Sequence, residues 1–260
     1  MVRLADILAN RTWLRRNEPF PHVSARDVFT QRFYASVASE YMQVLGRGLY
    51  EGANGHGEKF SRIIAGYDAY GMGFNQSIKG SLAVFSSPEW QGLMAGLFEV
   101  AATGHINVGA HHHVVGSASG WIHNDFNPVW FPRDSNGPIR YPDHRLCAYK
   151  TGAGPLPASK KIQVVRAVAM IFYLANDGWI EGDGGETGLY DSRTASAADA
   201  HTRVQPYNNS ILLFECTPDS YHTFLANPRR ARNSIIMWIH HSKEDAIARW
   251  PEHELETWKF

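Results

Sequence analysis

The sequence predicts a single α+β domain in which helices come first and a mainly β, barrel-like core follows. Apolar side chains recur at helical spacing over residues 24–45. From about residue 105, apolar segments become short, rich in valine, isoleucine and aromatic residues, and separated by turn residues. Because the sequence contains neither repeats nor low-complexity linkers, we expect residues 1–102 to be mostly helical support, 103–242 the core and 243–260 a C-terminal tail.

Two helix starts are visible in the first part of the chain. Ser24 can cap a helix over residues 24–45. Ser87 followed by Pro88 has the pattern of a serine cap with proline in the first turn. The glycine-rich stretch 46–80 predicts loops with short structured pieces.

The second part contains six segments with strand character. They are 111–115, 120–125, 164–174, 188–191, 210–215 and 233–240. A long stretch without periodicity, which includes Asn136, separates the second segment from the third. Stretches of this length are usually functional loops or disordered segments.

The charge balance bears on the class of partner. Lysine plus arginine number 25 and aspartate plus glutamate also number 25, so the formal net charge is zero. A basic field that would hold nucleic acid is therefore absent. The sequence also lacks an apolar run of membrane-spanning length and a signal peptide, so we expect a cytoplasmic protein with Cys147 and Cys216 reduced.

Two histidines and one aspartate have the order and spacing of a metal site. His123 and Asp125 are alternate residues of a predicted strand, so their side chains are expected on the same side. His222 follows ninety-nine residues after His123. Because two imidazoles and one carboxylate can cap one face of an octahedral Fe(II) and leave three positions open, the pattern predicts a mononuclear iron site.

A cationic residue and a hydroxyl follow this pattern. Arg232 and Ser234 are alternate residues, and the planar guanidinium suits a carboxylate ligand. Arg229 and Arg230 are alternatives for this role. Arg232 is preferred because Ser234 shares its strand face and residues 235–238 continue as a core strand.

Four stretches of the chain resemble a known family. They are Pro19–His22, Gly120–Asn127, Phe172–Trp179 with Gly184–Tyr190, and Tyr221–His222 with Arg232–Ile235. In this order they resemble the iron(II)/2-oxoglutarate-dependent oxygenases, and within them the prolyl-hydroxylase-like branch. The resemblance implies a double-stranded β-helix (a cupin-like jelly roll) with N-terminal supporting helices. It also implies Fe(II), 2-oxoglutarate as co-substrate, and O2.

The resemblance also implies roles for single residues. His123, Asp125 and His222 would be the iron ligands and form the catalytic centre. Arg232, Ser234 and Tyr173 would bind the distal carboxylate of 2-oxoglutarate. Where the branch often has a tyrosine, this chain has His113, which leaves open whether His113 contacts the cofactor or shapes the substrate pocket.

The resemblance favours hydroxylation of an unactivated C–H bond. Related halogenases have glycine or alanine at the position of Asp125, so a carboxylate there disfavours halogenation. Desaturation, epoxidation and cyclisation stay open.

We expect a small-molecule substrate, either a free amino acid or a natural-product intermediate. The alternatives are a peptidyl or protein hydroxylase and a non-catalytic metal-binding jelly roll, which would not need Arg232 and Tyr173 as a carboxylate receptor. The oligomeric state stays open.

Substrate contacts are expected in residues 126–157, with Asn127 and Trp130 first. His113 is a further candidate. In the run His111–His113 the side chains alternate between two faces, so we expect one inward histidine, either His111 or His113.

Overall fold

The computed structural model describes residues 3–52, 59–62, 69–133 and 137–256. Part of the glycine-rich stretch 46–80, Asn136 and the end of the predicted tail lie outside the described residues. The elements before residue 102 are α1 (Leu4–Ile7), β1 (Leu14–Arg16), β2 (His22–Ala25), α2 (Gln31–Leu45), β3 (Leu49–Tyr50), β4 (Phe60–Arg62), β5 (Ala69–Gly73) and α3 (Pro88–Leu97). The later elements are β6 (Ile106–His113), β7 (Pro128–Pro132), β8 (Lys161–Tyr173), β9 (Thr187–Tyr190), β10 (Thr202–Val204), β11 (Ser210–Glu215), β12 (Tyr221–Phe224), β13 (Arg232–Ser242) and α4 (Lys243–Arg249).

The strands form a large and a small sheet. The large sheet has the order β1-β2-β11-β8-β13-β6-β5-β4-β3, with β7 also paired to β8. The small sheet has the order β10-β9-β12, and an isolated bridge between His123 and His222 extends it. Leu189 of the small sheet is buried in a cluster with residues of β8 and β11. The two sheets therefore pack face to face, and the predicted β-rich jelly roll is confirmed.

The two faces of the large sheet serve different purposes. On the outer face, alternate residues of β8 and β13 such as Phe172 and Met237 are buried against Tyr41 of α2 and Trp90 of α3. On the inner face, Tyr173 packs toward Leu189. The helices therefore support the sheet from outside, and the inner face is left for the site.

Helix α2 begins later than its apolar pattern predicts. It starts at Gln31, and the hydroxyl of Thr30 accepts a hydrogen bond from the Phe33 amide. Ser24 instead lies in β2, opposite Leu212 of β11. Pairing with a distant strand therefore decides the conformation of this segment. Helix α3 has the predicted cap, in which the Ser87 hydroxyl accepts from the Trp90 amide.

Residues before 102, predicted to be mostly helical, also contribute β1 to β5 to the large sheet. These strands have two to five residues each, too few to show an alternating pattern in the sequence. Within the described ranges, none of the helices is both long and apolar enough to span a membrane.

Candidate active site

His123, Asp125 and His222 converge at one end of the two sheets. His123 and His222 exchange two backbone hydrogen bonds, at 3.1 and 2.8 Å, and their ring centroids are 4.5 Å apart. The Asp125 carboxylate lies 3.4 Å from Nε2 of His222 and 3.9 Å from Nε2 of His123. One ligand atom from each of the three lies within 4.8 Å of the others, a spacing suited to one metal ion. Residues 120–125 form one isolated bridge with β12 and one further backbone hydrogen bond, from the Gly120 amide to the Phe224 carbonyl at 2.9 Å, so the predicted strand is reduced to a single bridge pair.

Backbone carbonyls orient both histidine rings. Nδ1 of His123 lies 2.9 Å from the Trp121 carbonyl oxygen, and Nδ1 of His222 lies 3.0 Å from that of Ser220. A carbonyl only accepts, so Nδ1 carries the proton and Nε2 presents its lone pair to a metal. Burial, and then the neighbouring His222, lower the pKa of His123 to about 4, so its ring is neutral at neutral pH.

The buried Arg166 and the partly buried Trp238 hold the Asp125 carboxylate. Nη1 of Arg166 donates to Oδ1, and Nε1 of Trp238 donates to Oδ2 at 2.7 Å. The Arg166 guanidinium also lies 3.9 Å from the Trp238 ring centroid, in cation–π geometry. Burial opposes ionisation of Asp125, but Arg166 and then His222 outweigh it and hold the pKa of Asp125 well below its usual value. The ligand is therefore a fixed carboxylate anion.

A β-bulge aims Arg166 at the metal site. In the pairing of β13 with β8, Ile239 lies opposite Val168, but His240 lies opposite Arg166, so Ala167 is the extra residue. A bulge reverses the alternation of side chains and re-aims them. Sequence reasoning missed Arg166 because the bulge is not visible in residue spacing. The signal that could have found it is an arginine inside an apolar strand, which needs a buried partner.

A hydrogen-bond chain continues from Arg166 into the segment 126–157. Nε of Arg166 donates to the Tyr149 hydroxyl at 3.2 Å, and this hydroxyl lies 2.9 Å from Nε2 of His240. Nδ1 of His240 faces the His105 carbonyl at 2.8 Å, so Nε2 accepts and Tyr149 donates. His240 is fully buried, although the charged residues 243–245 follow closely in the chain.

Arg232, Ser234 and Tyr173 come together on the inner face. Ser234 lies opposite Tyr173 across β13 and β8. Nη2 of Arg232 donates to the Thr187 hydroxyl at 3.2 Å, and the Tyr173 hydroxyl lies 2.7 Å from the same oxygen. The Arg232 guanidinium carbon lies 5.2 Å from the Tyr173 ring centroid and 5.4 Å from that of Phe224.

This cluster fits a carboxylate ligand. Nε of Arg232 and Oγ of Ser234 are buried and have no hydrogen-bond partner within the described part of the chain. Buried donors without partners are costly unless a ligand satisfies them. Arg230, one alternative, donates instead to Asp183 at 2.7 Å.

Gly185 explains part of the glycine-rich signature beside this cluster. It has φ +84°, and a Cβ at this position would lie 3.2 Å from Cβ of Arg232. A glycine therefore allows both the positive φ and the close approach of the chain to Arg232. Thr187, two residues later, can then accept a hydrogen bond from the Arg232 guanidinium.

The histidine run places two rings inward and one outward. His113 lies opposite Arg232 and His111 opposite Ser234. His112 lies on the other face, with Nδ1 2.7 Å from Oδ1 of Asn233. The expectation of one inward histidine was therefore wrong. Strand β6 keeps its regular alternation through this run, so the first and third histidines face the same side. His113 stacks on Phe224 with ring centroids 3.8 Å apart.

The side chains of the two first substrate candidates make their contacts outside the triad. Asn127 is buried, and its Nδ2 donates to the Glu256 carbonyl at 2.7 Å. Trp130 is half-buried beside Gly152, where a Cβ would lie 2.8 Å from its ring. Their substrate roles stay predictions. Trp121 is 57% exposed and lies 6.0 Å from the His123 ring between centroids, so it is an aromatic group at the rim of the metal site.

Sequence comparison supports an oxygenase. The 2OG-Fe(II) oxygenase superfamily matches residues 145–240, which include Arg166, Tyr173, His222 and Arg232. No curated protein matches the chain in sequence. With the jelly roll and the assembled triad, this match over residues 145–240 makes the chain similar to the enzymes of the 2OG-Fe(II) oxygenase superfamily, which use Fe(II), 2-oxoglutarate and O2.

Among solved structures, the chain is similar in fold to prolyl hydroxylases. One is a Pseudomonas putida prolyl-4-hydroxylase, with 15% identity, a TM-score of 0.52, and coverage of 92% of this chain and 99% of that chain. Another is a Trichoplax adhaerens prolyl hydroxylase in complex with a hypoxia inducible factor peptide fragment, with 14% identity, a TM-score of 0.53, and 87% and 86% coverage. A third is the viral collagen prolyl hydroxylase from Paramecium Bursaria Chlorella virus-1 in complex with 2OG, with 12% identity, a TM-score of 0.50, and 84% and 95% coverage.

Proposed function

We propose that this oxygenase hydroxylates an unactivated C–H bond of a small molecule, either a free amino acid or a natural-product intermediate. The observation that carries hydroxylation is the convergence of His123, Asp125 and His222 in one donor set. A carboxylate in this set fills the position that a halide would need. The balanced charge of the chain gives no field that would select a charged polymer, which supports a small substrate.

The chain's residues divide into three tasks. His123, His222 and Asp125 would hold Fe(II) through two Nε2 atoms and a carboxylate. Arg232, Ser234 and Tyr173 would hold the distal carboxylate of 2-oxoglutarate. When bound, iron and 2-oxoglutarate activate O2 and supply the oxidising power for the C–H bond. The protein's contribution is placement, because the walls of the site decide which C–H bond lies near the metal.

The second candidate is hydroxylation of a peptide or protein. The likeness to prolyl hydroxylases favours it, since one of those structures holds a peptide fragment. The exposed Trp121 ring beside His123 would be open to either kind of substrate. A direct comparison of free amino acids with proline-containing peptides separates the two candidates.

The test is an anaerobic titration of the protein with Fe(II) and 2-oxoglutarate. We expect a weak visible metal-to-ligand charge-transfer band in the unaltered protein and none in His123→Ala or His222→Ala. His253→Ala is the matched control, because His253 is exposed and outside the triad. A band of normal intensity in both triad variants would reject this ligand assignment. Succinate formation with free amino acids, but not with proline-containing peptides, would support the small-molecule substrate.

A further inference from the structure

His111 belongs to the same row of side chains as the proposed 2-oxoglutarate residues. It lies opposite Ser234 on β13, and Ser234 lies opposite Tyr173 on β8. Residues opposite one another in antiparallel strands point to the same side of the sheet. His111, Ser234 and Tyr173 therefore form one row across three strands, on the face that carries Arg232.

The hydrogen-bonding state of His111 differs from that of the next histidine. The ring of His112, on the outer face, bonds to Asn233. The ring of His111 has no hydrogen-bond partner within the described ranges, although its backbone carbonyl accepts from the Tyr41 hydroxyl at 2.6 Å. Oγ of Ser234 and Nε of Arg232 also have no partner in those ranges. On this side of the sheet, two buried polar groups without partners therefore lie in the same row as the half-buried His111 ring, which is available to the same ligand.

The charge state of His111 makes it a hydrogen-bond donor and not a second cation. Burial, and then the charge of Arg232, lower the pKa of His111 to about 3. At neutral pH its imidazole is therefore neutral and carries one N–H donor. A neutral donor can supplement Arg232 on an anionic ligand without repelling the guanidinium.

We propose that His111 donates a hydrogen bond to the distal carboxylate of 2-oxoglutarate, as a binding residue beside Arg232 and Ser234. This inference rests on the proposed function. It gives a role to His111, which is not one of the proposed iron ligands. It also predicts that His111 contributes to the preference for a dicarboxylic over a monocarboxylic 2-oxo acid.

The test compares two variants and two 2-oxo acids. His111→Gln keeps an N–H donor, whereas His111→Phe keeps an aromatic ring without one. The probes are 2-oxoglutarate and 2-oxopentanoate, which has the same chain without the distal carboxylate. Binding to the Fe(II)-loaded protein is measured anaerobically from the charge-transfer band, without turnover.

We expect His111→Phe to raise the Kd for 2-oxoglutarate about tenfold, as loss of one hydrogen bond to a charged group predicts. The Kd for 2-oxopentanoate should not change, and His111→Gln should recover part of the affinity for 2-oxoglutarate. Unchanged 2-oxoglutarate affinity in His111→Phe would overturn the inference. An equal loss for both acids would also overturn it, because His111 would then act on the metal end or on the fold.

Failure of the proposed function gives a different result. In that case the unaltered protein itself would produce no 2-oxoglutarate-dependent band, whatever residue stands at position 111. If His111→Phe does not fold, the unaltered protein loaded with Zn(II) answers the same question by NMR. The His111 ring N–H should become protected from exchange with 2-oxoglutarate and not with 2-oxopentanoate; protection with neither acid would overturn the inference.

Discussion

The guanidinium of Arg166 forms a buried ion pair with the carboxylate of Asp125, which is one of the three candidate metal ligands. Both side chains are almost fully buried, and Trp238 donates to the second carboxylate oxygen. Partners of this kind orient a ligand and tune the metal that it binds. The pair therefore connects the bulge in β8 with the geometry of the candidate metal site.

Loss of the Arg166 guanidinium should affect both stability and metal binding. Arg166→Gln leaves the Asp125 charge buried with only Trp238 as a donor, and breaking a buried pair in this way costs roughly 3–5 kcal/mol. Fe(II) affinity should fall about 10- to 100-fold. Urea unfolding of the metal-free protein and Fe(II) titration measure the two effects. Arg145→Gln is the matched control, since its pair with Asp143 is exposed and should contribute little. Equal effects of the two variants would contradict this prediction.

Asp125 should exclude chloride from the metal. The unaltered protein supplied with chloride and a turned-over substrate should give an oxidised product and no chlorinated one, as judged by mass spectrometry. Asp125→Gly opens a coordination position, although halogenation also requires suitable placement of the substrate. A chlorinated product from the unaltered protein would show that the carboxylate does not occupy that position.

Arg232→Ala should weaken the use of 2-oxoglutarate and leave iron binding largely intact. A charge-assisted contact contributes roughly 1.5–3 kcal/mol, so the concentration of 2-oxoglutarate required should rise about tenfold or more. Arg230→Ala is the control, because Arg230 pairs with Asp183 instead. The apparent 2-oxoglutarate requirement in a succinate assay is the measurement. A larger effect of Arg230→Ala than of Arg232→Ala would show that Arg232 is not the arginine that binds the carboxylate.

Buried neutral histidines should make the fold sensitive to acid. Burial and then Arg140 lower the pKa of His105 to about 4, and burial and then Arg249 lower that of His241 to about 4. Between pH 6.5 and 4 the unfolded chain therefore binds more protons, so stability falls as the pH falls through this range. Each group contributes up to roughly 1.4 kcal/mol per pH unit. Urea unfolding of the metal-free protein at several pH values measures the slope. His105→Gln should reduce it, and an unchanged slope would argue against this assignment.

Residues 126–157 are predicted to contact the substrate. Limited proteolysis with and without saturating substrate should show protection of this segment, and Trp130→Ala should raise the KM for substrate. Asn127→Ala should in addition loosen the C-terminal segment, because Asn127 donates to Glu256. Unaltered cleavage together with normal turnover by both variants would place the specificity elsewhere, with Trp121 the next candidate.

The sequence by itself determined the residues that form the metal cluster and the order in which they occur. His-x-Asp and Arg-x-Ser are local patterns, and for Arg232 and Ser234 in β13 strand alternation also places the two side chains on one face. Helix α3 and strand β11 were also predictable, because a serine–proline start and a short apolar run are local signals.

Only the tertiary structure decided which side chains hold the ligand Asp125 in place. The bulge at Ala167 turns Arg166 toward Asp125, and Trp238 reaches the same carboxylate from another strand. Ser24 became part of β2 because β11, far away in the chain, pairs with it. Bulges and long-range pairing depend on contacts between segments distant in sequence, so local spacing carries no record of them.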